Sequence, residues 1–123
     1  ESVMQIIASN WPDAILTDVG LYYLTTKEGG GTKNPEKGQI VTVHYTGKLI
    51  DGTVFDSSHS RGGTVQFTIG QLIAGVDQAL MNMVEGEHRT VIIPPKLAYG
   101  NRGAPGVIPP NSFLIFELEL ISF

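Results

Sequence analysis

In the strand-like runs of this chain apolar residues recur at every second position, whereas between residues 72 and 84 they recur at intervals of three and four. Ile73, Val76, Leu80, Met83 and Val84 fall on one helical face, with Ala74, Gln78, Asn82 and Glu85 opposite. This spacing predicts one short amphipathic helix over 72–84, ended by Glu85-Gly86-Glu87. A single short helix cannot enclose a core, so the strands around it must supply the rest. The predicted fold class is α+β, with a strongly bent antiparallel sheet wrapped around that helix.

The strands are read from their own period. Residues 20–26 (GLYYLTT) are aromatic and β-compatible, and Gly29-Gly30-Gly31 breaks the run. From Ile40, Val41, Val43, Tyr45 and Leu49 point one way and Thr42, His44, Thr46 and Lys48 the other, the mark of a half-buried strand. Asp51-Gly52 predicts a two-residue hairpin turn with positive φ at both central positions. The return strand starts at Thr53 and carries Phe55, and a strand over 64–69 puts Val65, Phe67 and Ile69 on one face. Arg89 to Ile93 and Phe113 to Ile121 are the last two strands. Between them, residues 100–110 hold three Gly and three Pro, a long, partly stiffened loop.

Residues 1–16 differ from the rest. Val3, Ile6, Ile7 and Trp11 fit one side of a short helix that Pro12 helps to end. We read 1–16 as an N-terminal appendage and 17–123 as the domain proper. The appendage either packs on the domain or engages a partner. A chain beginning at Glu1 rather than Met suits a processed product or a fragment.

Composition narrows the function. A net charge of −4 gives no basic footprint for nucleic acid. No apolar run approaches bilayer length, so no membrane span is expected. The absence of cysteine removes disulfides, thiolate catalysis and Cys-type zinc sites. His44, His59 and His88 lack metal-ligand spacing and are read as surface or strand residues. The Gly-Lys pair and the Gly triplet of the long loop match neither a phosphate loop nor a dinucleotide fingerprint. Ser57 and Ser58 adjoin Asp56, but a nucleophilic triad would also need a positioned base, and Glu117 and Glu119 sit on an outward strand face. No cofactor is expected.

What remains is a set of aromatic and apolar residues around short polar groups. Residues 43–47 (VHYTG) and 51–58 (DGTVFDSS) resemble the opening signature of the FKBP family of peptidyl-prolyl cis–trans isomerases. Residues 98–100 (AYG), 106–111 (GVIPPN) and 114–120 (LIFELEL) resemble its closing signature, in the family's order and spacing. The resemblance implies an enzyme that rotates X–Pro bonds in peptides and folding proteins. It implies that Tyr45, Phe55, Tyr99 and Phe116 wall an apolar pocket closed by Ile73 and Ile108, with Asp56 at its rim and Arg61 paired to it. Asp56, Tyr99, Tyr45 and Phe116 would carry catalysis. Phe55, Arg61, Val65, Phe67, Leu72, Ile73, Val76, Val107 and Ile108 would bind substrate. The Ile73 N–H would donate to a ligand carbonyl, and the 100–110 loop would overhang as a flap. On pattern alone, Tyr45, Phe55 and Phe116 are equally consistent with ordinary core residues, and Asp56 with a turn cap.

The chain departs from the family in four places. Position 76 is Val where Trp usually forms the pocket floor, and position 65 is Val rather than an aromatic. Ala104 replaces a flap His of some members, and the segment from Gly70 to Ile73 is about two residues shorter than in the drug-binding members. The expected partners are therefore Pro-containing peptides and unfolded protein clients, with weakened affinity for macrolides. The alternative is a non-catalytic docking or chaperone module. We expect a soluble chain, of the cytoplasm or of a bacterial periplasm or envelope.

Overall fold

A computed structural model describes residues 2–123. In chain order its elements are α1 (Val3–Asn10), β1 (Ile15–Leu16), β2 (Tyr22–Lys27), β3 (Ile40–Leu49), β4 (Val54–Ser57), β5 (Val65–Thr68), α2 (Ala74–Leu80), β6 (His88–Ile93) and β7 (Leu114–Ser122). Short 3₁₀ turns lie at His59–Arg61 and Pro95–Leu97. Every strand pairing is antiparallel, and the order across the sheet is β1-β2-β6-β7-β3-β4, with β5 also on β3.

β3 organises this sheet. Along one edge it pairs with β7, from Thr42↔Ser122 to Leu49↔Leu114. Its other edge is divided: Ile40 to Val43 pair with β5, and Thr46 to Lys48 pair with β4. The alternation of β3 is the one its sequence predicts, with Val41, Val43 and Tyr45 buried and Thr42, His44 and Thr46 half-buried on the opposite face. The buried face meets α2, where Val76, Ala79 and Leu80 join Val91 and Ile93 of β6 and Leu114, Phe116 and Leu118 of β7 in the main core.

The outer face of the sheet is split in two. α1 starts with a capping box, in which the Ser2 hydroxyl accepts from the Gln5 N–H and the Gln5 side chain accepts from the Ser2 N–H. It packs buried Ile7 on Ile92 and Ile115, with Val3 and Trp11 beside them. Beyond α1 the same face turns polar, through Thr90, Glu117, Glu119, His44 and His88.

Two local expectations are corrected, and one element is added. The helix predicted over 72–84 ends at Leu80, because the Asn82 and Met83 N–H groups bond back three residues, to Ala79 and Leu80, and tighten the chain into a turn. Met83 is still fully buried, by turning back into the core. At Asp51-Gly52 only Gly52 has positive φ (95°), and the Gly52 N–H donates to the Leu49 C=O at 2.9 Å. The loop is therefore an ordinary turn followed by a left-handed glycine bulge, with Asp51 accepting from the Thr53 N–H. Ile15 and Leu16 form an edge strand that their sequence does not announce.

One buried ion pair ties β6 to the turn after α2. Glu87 and Arg89 are 4% and 7% exposed, and Arg89 Nε donates to Glu87 Oε2 at 2.8 Å. The guanidinium also reaches the Asn82 side chain and carbonyl and lies 4.4 Å from the Tyr23 ring centre. Glu87 accepts from Thr25 Oγ1 and the Val84 N–H as well. Every polar atom in this cluster is thus satisfied, and removing one partner strands the other in an apolar interior. Glu87→Ala is expected to lower the unfolding free energy by about 3–5 kcal/mol in urea denaturation.

Candidate active site

The concave side of the sheet does not close fully on α2. A cavity of about 160 Å³ remains beside the start of the helix. β3 contributes Val43 and Tyr45, β4 Phe55 and Asp56, β5 Phe67, and β7 Phe116 and Leu118. Leu72, Ile73, Val76 and Leu80 close it from the helix side, and Tyr99 and Arg61 stand at the mouth. The volume is well below the roughly 300–1,000 Å³ of a drug-sized site. It suits a single small ring.

The aromatic walls are set by close packing. Tyr45 lies 5.5 Å from Phe67 and 6.3 Å from Phe116, centre to centre, and Phe55 meets Phe116 edge-on at 5.7 Å. Gly47 makes the last contact feasible, since a Cβ there would lie 2.8 Å from the Phe55 ring and 3.0 Å from Phe116. Val76, 5% exposed, lines the cavity from α2.

One polar cluster interrupts these walls. The Tyr45 hydroxyl donates to Asp56 Oδ2 at 2.7 Å. Arg61 Nη2 bridges Oδ1 and Oδ2 at 3.2 and 3.3 Å, and the Ser57 N–H donates to Oδ1 at 2.9 Å. Each Asp56 oxygen therefore already accepts two hydrogen bonds. The Tyr45 phenol is pushed up from its ordinary value of 10 to about 12, first by burial, then by its hydrogen bond to Asp56 and the charge beyond it. Across the mouth, Ile73 is the N-cap of α2, with φ −60° and ψ 147°. Its N–H lies outside the helix's own ladder, while its C=O accepts from Val76 and Asp77.

The 100–110 loop is a closed unit. Ala104 and Ile108 exchange N–H···O=C bonds at 2.8 and 2.7 Å, and the Asn111 N–H donates to the Gly100 C=O at 2.8 Å across its neck. Ile108 is buried against the core, whereas Val107 is 54% exposed at the tip.

Of the residues singled out from the sequence, Tyr45, Phe55, Asp56, Arg61, Phe67, Leu72, Ile73, Val76, Tyr99 and Phe116 meet around this cavity. Val65 packs on the core instead, and Val107 and Ile108 border a separate groove along the flap. Val43, Leu80 and Leu118 line the cavity too, and their sequence signal was only that of core positions.

The three histidines share a place that their spacing in the chain conceals. They border one polar groove on the outer face with Glu117 and Glu119. His44 stacks on His59 at 4.5 Å, and His88 lies 3.4 Å from Glu119. Among the described residues, no three such groups are placed to hold one metal ion.

Known proteins are similar to this chain in sequence and in fold. A family model described as FKBP-type peptidyl-prolyl cis-trans isomerase matches residues 31–121. FK506-binding protein 2 of Yarrowia lipolytica is 56% identical over 93 residues, which cover 74% of this chain and 65% of that protein. The peptidyl-prolyl cis-trans isomerase Fkbp12 of Drosophila melanogaster is 47% identical over 105 residues, covering 84% of this chain and 97% of that one. The crystal structure of FkpA from Escherichia coli superposes with a TM-score of 0.87 at 36% identity, covering 98% of this chain but 55% of its own. With the matched segment running from before β3 into β7 and taking in α2, every residue lining the apolar cavity and the 100–110 loop, the chain belongs to the FKBP-type peptidyl-prolyl cis–trans isomerase family.

Proposed function

We propose that this domain accelerates cis–trans rotation of X–Pro bonds in peptides and unfolded clients, with the proline ring seated on Val76 between Tyr45, Phe55 and Phe116. The observation that carries this reading is an apolar, ring-sized cavity in which the Tyr45 hydroxyl is already bound to Asp56. Such a site has nothing to donate to covalent chemistry. It is suited to a reaction that breaks none.

The barrier to X–Pro rotation is about 18–20 kcal/mol and comes from amide resonance. Cis and trans differ by only about 0.5–1 kcal/mol, so rate is the whole problem. The planar amide carries separated charge between oxygen and nitrogen, and the twisted transition state carries less. Water stabilises the planar form more; an apolar cavity withdraws that advantage. Each ~1.4 kcal/mol gained this way is worth about tenfold in rate.

The polar rim would hold the peptide while one bond turns. Tyr99, 40% exposed at the mouth, offers a hydroxyl, and the Ile73 N–H offers a second donor to a substrate carbonyl. Asp56, with both oxygens fully engaged, acts as a fixed negative field rather than as a base. Val76 in place of a flat aromatic floor leaves less surface for a macrolide ring, so FK506-type ligands bind weakly.

Wild-type protein is expected to accelerate exchange of an apolar-X-Pro peptide. Asp56→Ala and Tyr99→Phe should each lower kcat/KM about tenfold or more, with the circular dichroism spectrum unchanged. Full activity in both would remove these residues from the mechanism.

For macrolides, Val76→Trp should tighten binding in a calorimetric titration. Tight binding by wild type, unimproved by the substitution, would show that the floor is not limiting.

The Tyr45 phenol also sets a dependence on alkaline pH. Its folded-state value is raised above the unfolded one, so its contribution to stability is complete below pH 10 and is lost as pH rises from 10 to about 12. In a tyrosine titration one phenol should ionise late. Asp56→Asn should bring it back toward 10 without reaching it, because burial, the largest cause, remains.

A further inference from the structure

The divided edge of β3 leaves a gap. β5 pairs with β3 only as far as Val43, and β4 only from Thr46, so His44 and Tyr45 have no strand partner on that side. At Tyr45 the gap is filled by one residue. The Ser58 N–H donates to the Tyr45 C=O at 3.0 Å, and Ser58 Oγ accepts from the Tyr45 N–H at 2.9 Å. A side-chain oxygen thus stands where a strand would present a carbonyl.

The same residue holds the next turn. The Ser58 C=O accepts from the Arg61 N–H at 3.0 Å and from the Gly63 N–H at 3.2 Å. Tyr45 and Arg61, the two side chains that meet on Asp56, are therefore both anchored on Ser58 through their main chains. Ser58 is 0% exposed and lines no part of the cavity. Two groups lie within hydrogen-bond reach of its hydroxyl, His44 Nδ1 at 2.7 Å and the Tyr45 C=O at 3.2 Å. The first is oriented from the outer groove by the His44–His59 stack.

We propose that Ser58 is a positioning residue for the isomerase site, one that sets the Tyr45 phenol and the Arg61 guanidinium on Asp56 without touching substrate. The inference rests on the roles given above to Tyr45 and Asp56. Without Oγ, the buried Tyr45 N–H loses its acceptor and the main chain must shift to find another. A small rotation at the Tyr45 Cα is magnified at the phenol oxygen, where a 2.7 Å hydrogen bond tolerates little. The catalytic cost of such misplacement is large relative to the displacement.

The test pairs catalysed X–Pro exchange with the ionisation of Tyr45, followed by the 13Cζ resonances of labelled tyrosine. Ser58→Ala should lower kcat/KM roughly ten- to hundredfold and return the Tyr45 ionisation from about 12 toward 10, while Ser58→Thr, which keeps Oγ, restores both. Val41→Ala, a cavity in the same strand away from Asp56, is the control for mere loss of stability and should move neither. If Ser58→Ala does not fold, Ser58→Cys, whose sulfur is a weak acceptor, takes its place against Ser58→Thr. A folded Ser58→Ala with late Tyr45 ionisation and full activity overturns the proposal, as does an equal loss in Val41→Ala. A wild type that fails to accelerate exchange, yet shows the Tyr45 shift on Ser58→Ala, keeps Ser58 as the organiser of the rim and removes the isomerase reading instead.

Discussion

β3 has one edge and two strands that need it. β4 and β5 cannot both pair along its full length, so the chain must leave the sheet between them and return, and the site is assembled around that departure. Phe55 and Asp56 come from the strand before it, Phe67 from the strand after it, and Arg61 from the excursion itself. The opposite edge, paired with β7 along eight register positions, gives the rigidity that lets this side be irregular. An uninterrupted partner would satisfy the same backbone groups but would place no carboxylate beside the Tyr45 hydroxyl.

The chemistry follows from that economy. The cavity holds aromatic and aliphatic walls, and its one carboxylate is saturated by a phenol, a guanidinium and a backbone N–H. For most enzymes this would be a sparse arrangement, since the walls are apolar and the carboxylate is already held by three partners. For rotation about an amide it is apt, because the obstacle is resonance and the remedy is an environment that favours charge separation less than water does.

Much of this was legible before the structure. The β3 alternation and the helical period after residue 72 placed the sheet and α2, because burial on one face leaves a strong periodic trace, whereas ten of the cavity residues were named only by the family resemblance of the motifs around them. The illegible parts have physical reasons. α2 stops at Leu80 although Met83 and Val84 keep the helical spacing, since a turn can bury Met83 as well as a helix can. The two-residue pairing of Ile15 and Leu16 is too short for any period. Ser58 closes the DGTVFDSS motif, but its role is not written there: Asp-Ser-Ser reads as a turn, and its use as a strand surrogate depends on which backbone groups three-dimensional pairing leaves over. The meeting of His44, His59 and His88 is equally a product of strand register, which sequence spacing does not encode.

The flap invites a different thought, about how such a domain can diversify. Because Asn111 and Gly100 close its neck and Ala104 and Ile108 close its body, it carries its own architecture and leans on the sheet mainly through Ile108. Its exposed tip, at Val107, can change in size or polarity without asking anything of β6 or β7. The cavity takes its lining from the sheet, α2 and the segments beside them and none from residues 100–110, so the loop can change while the walls of the cavity stay as they are.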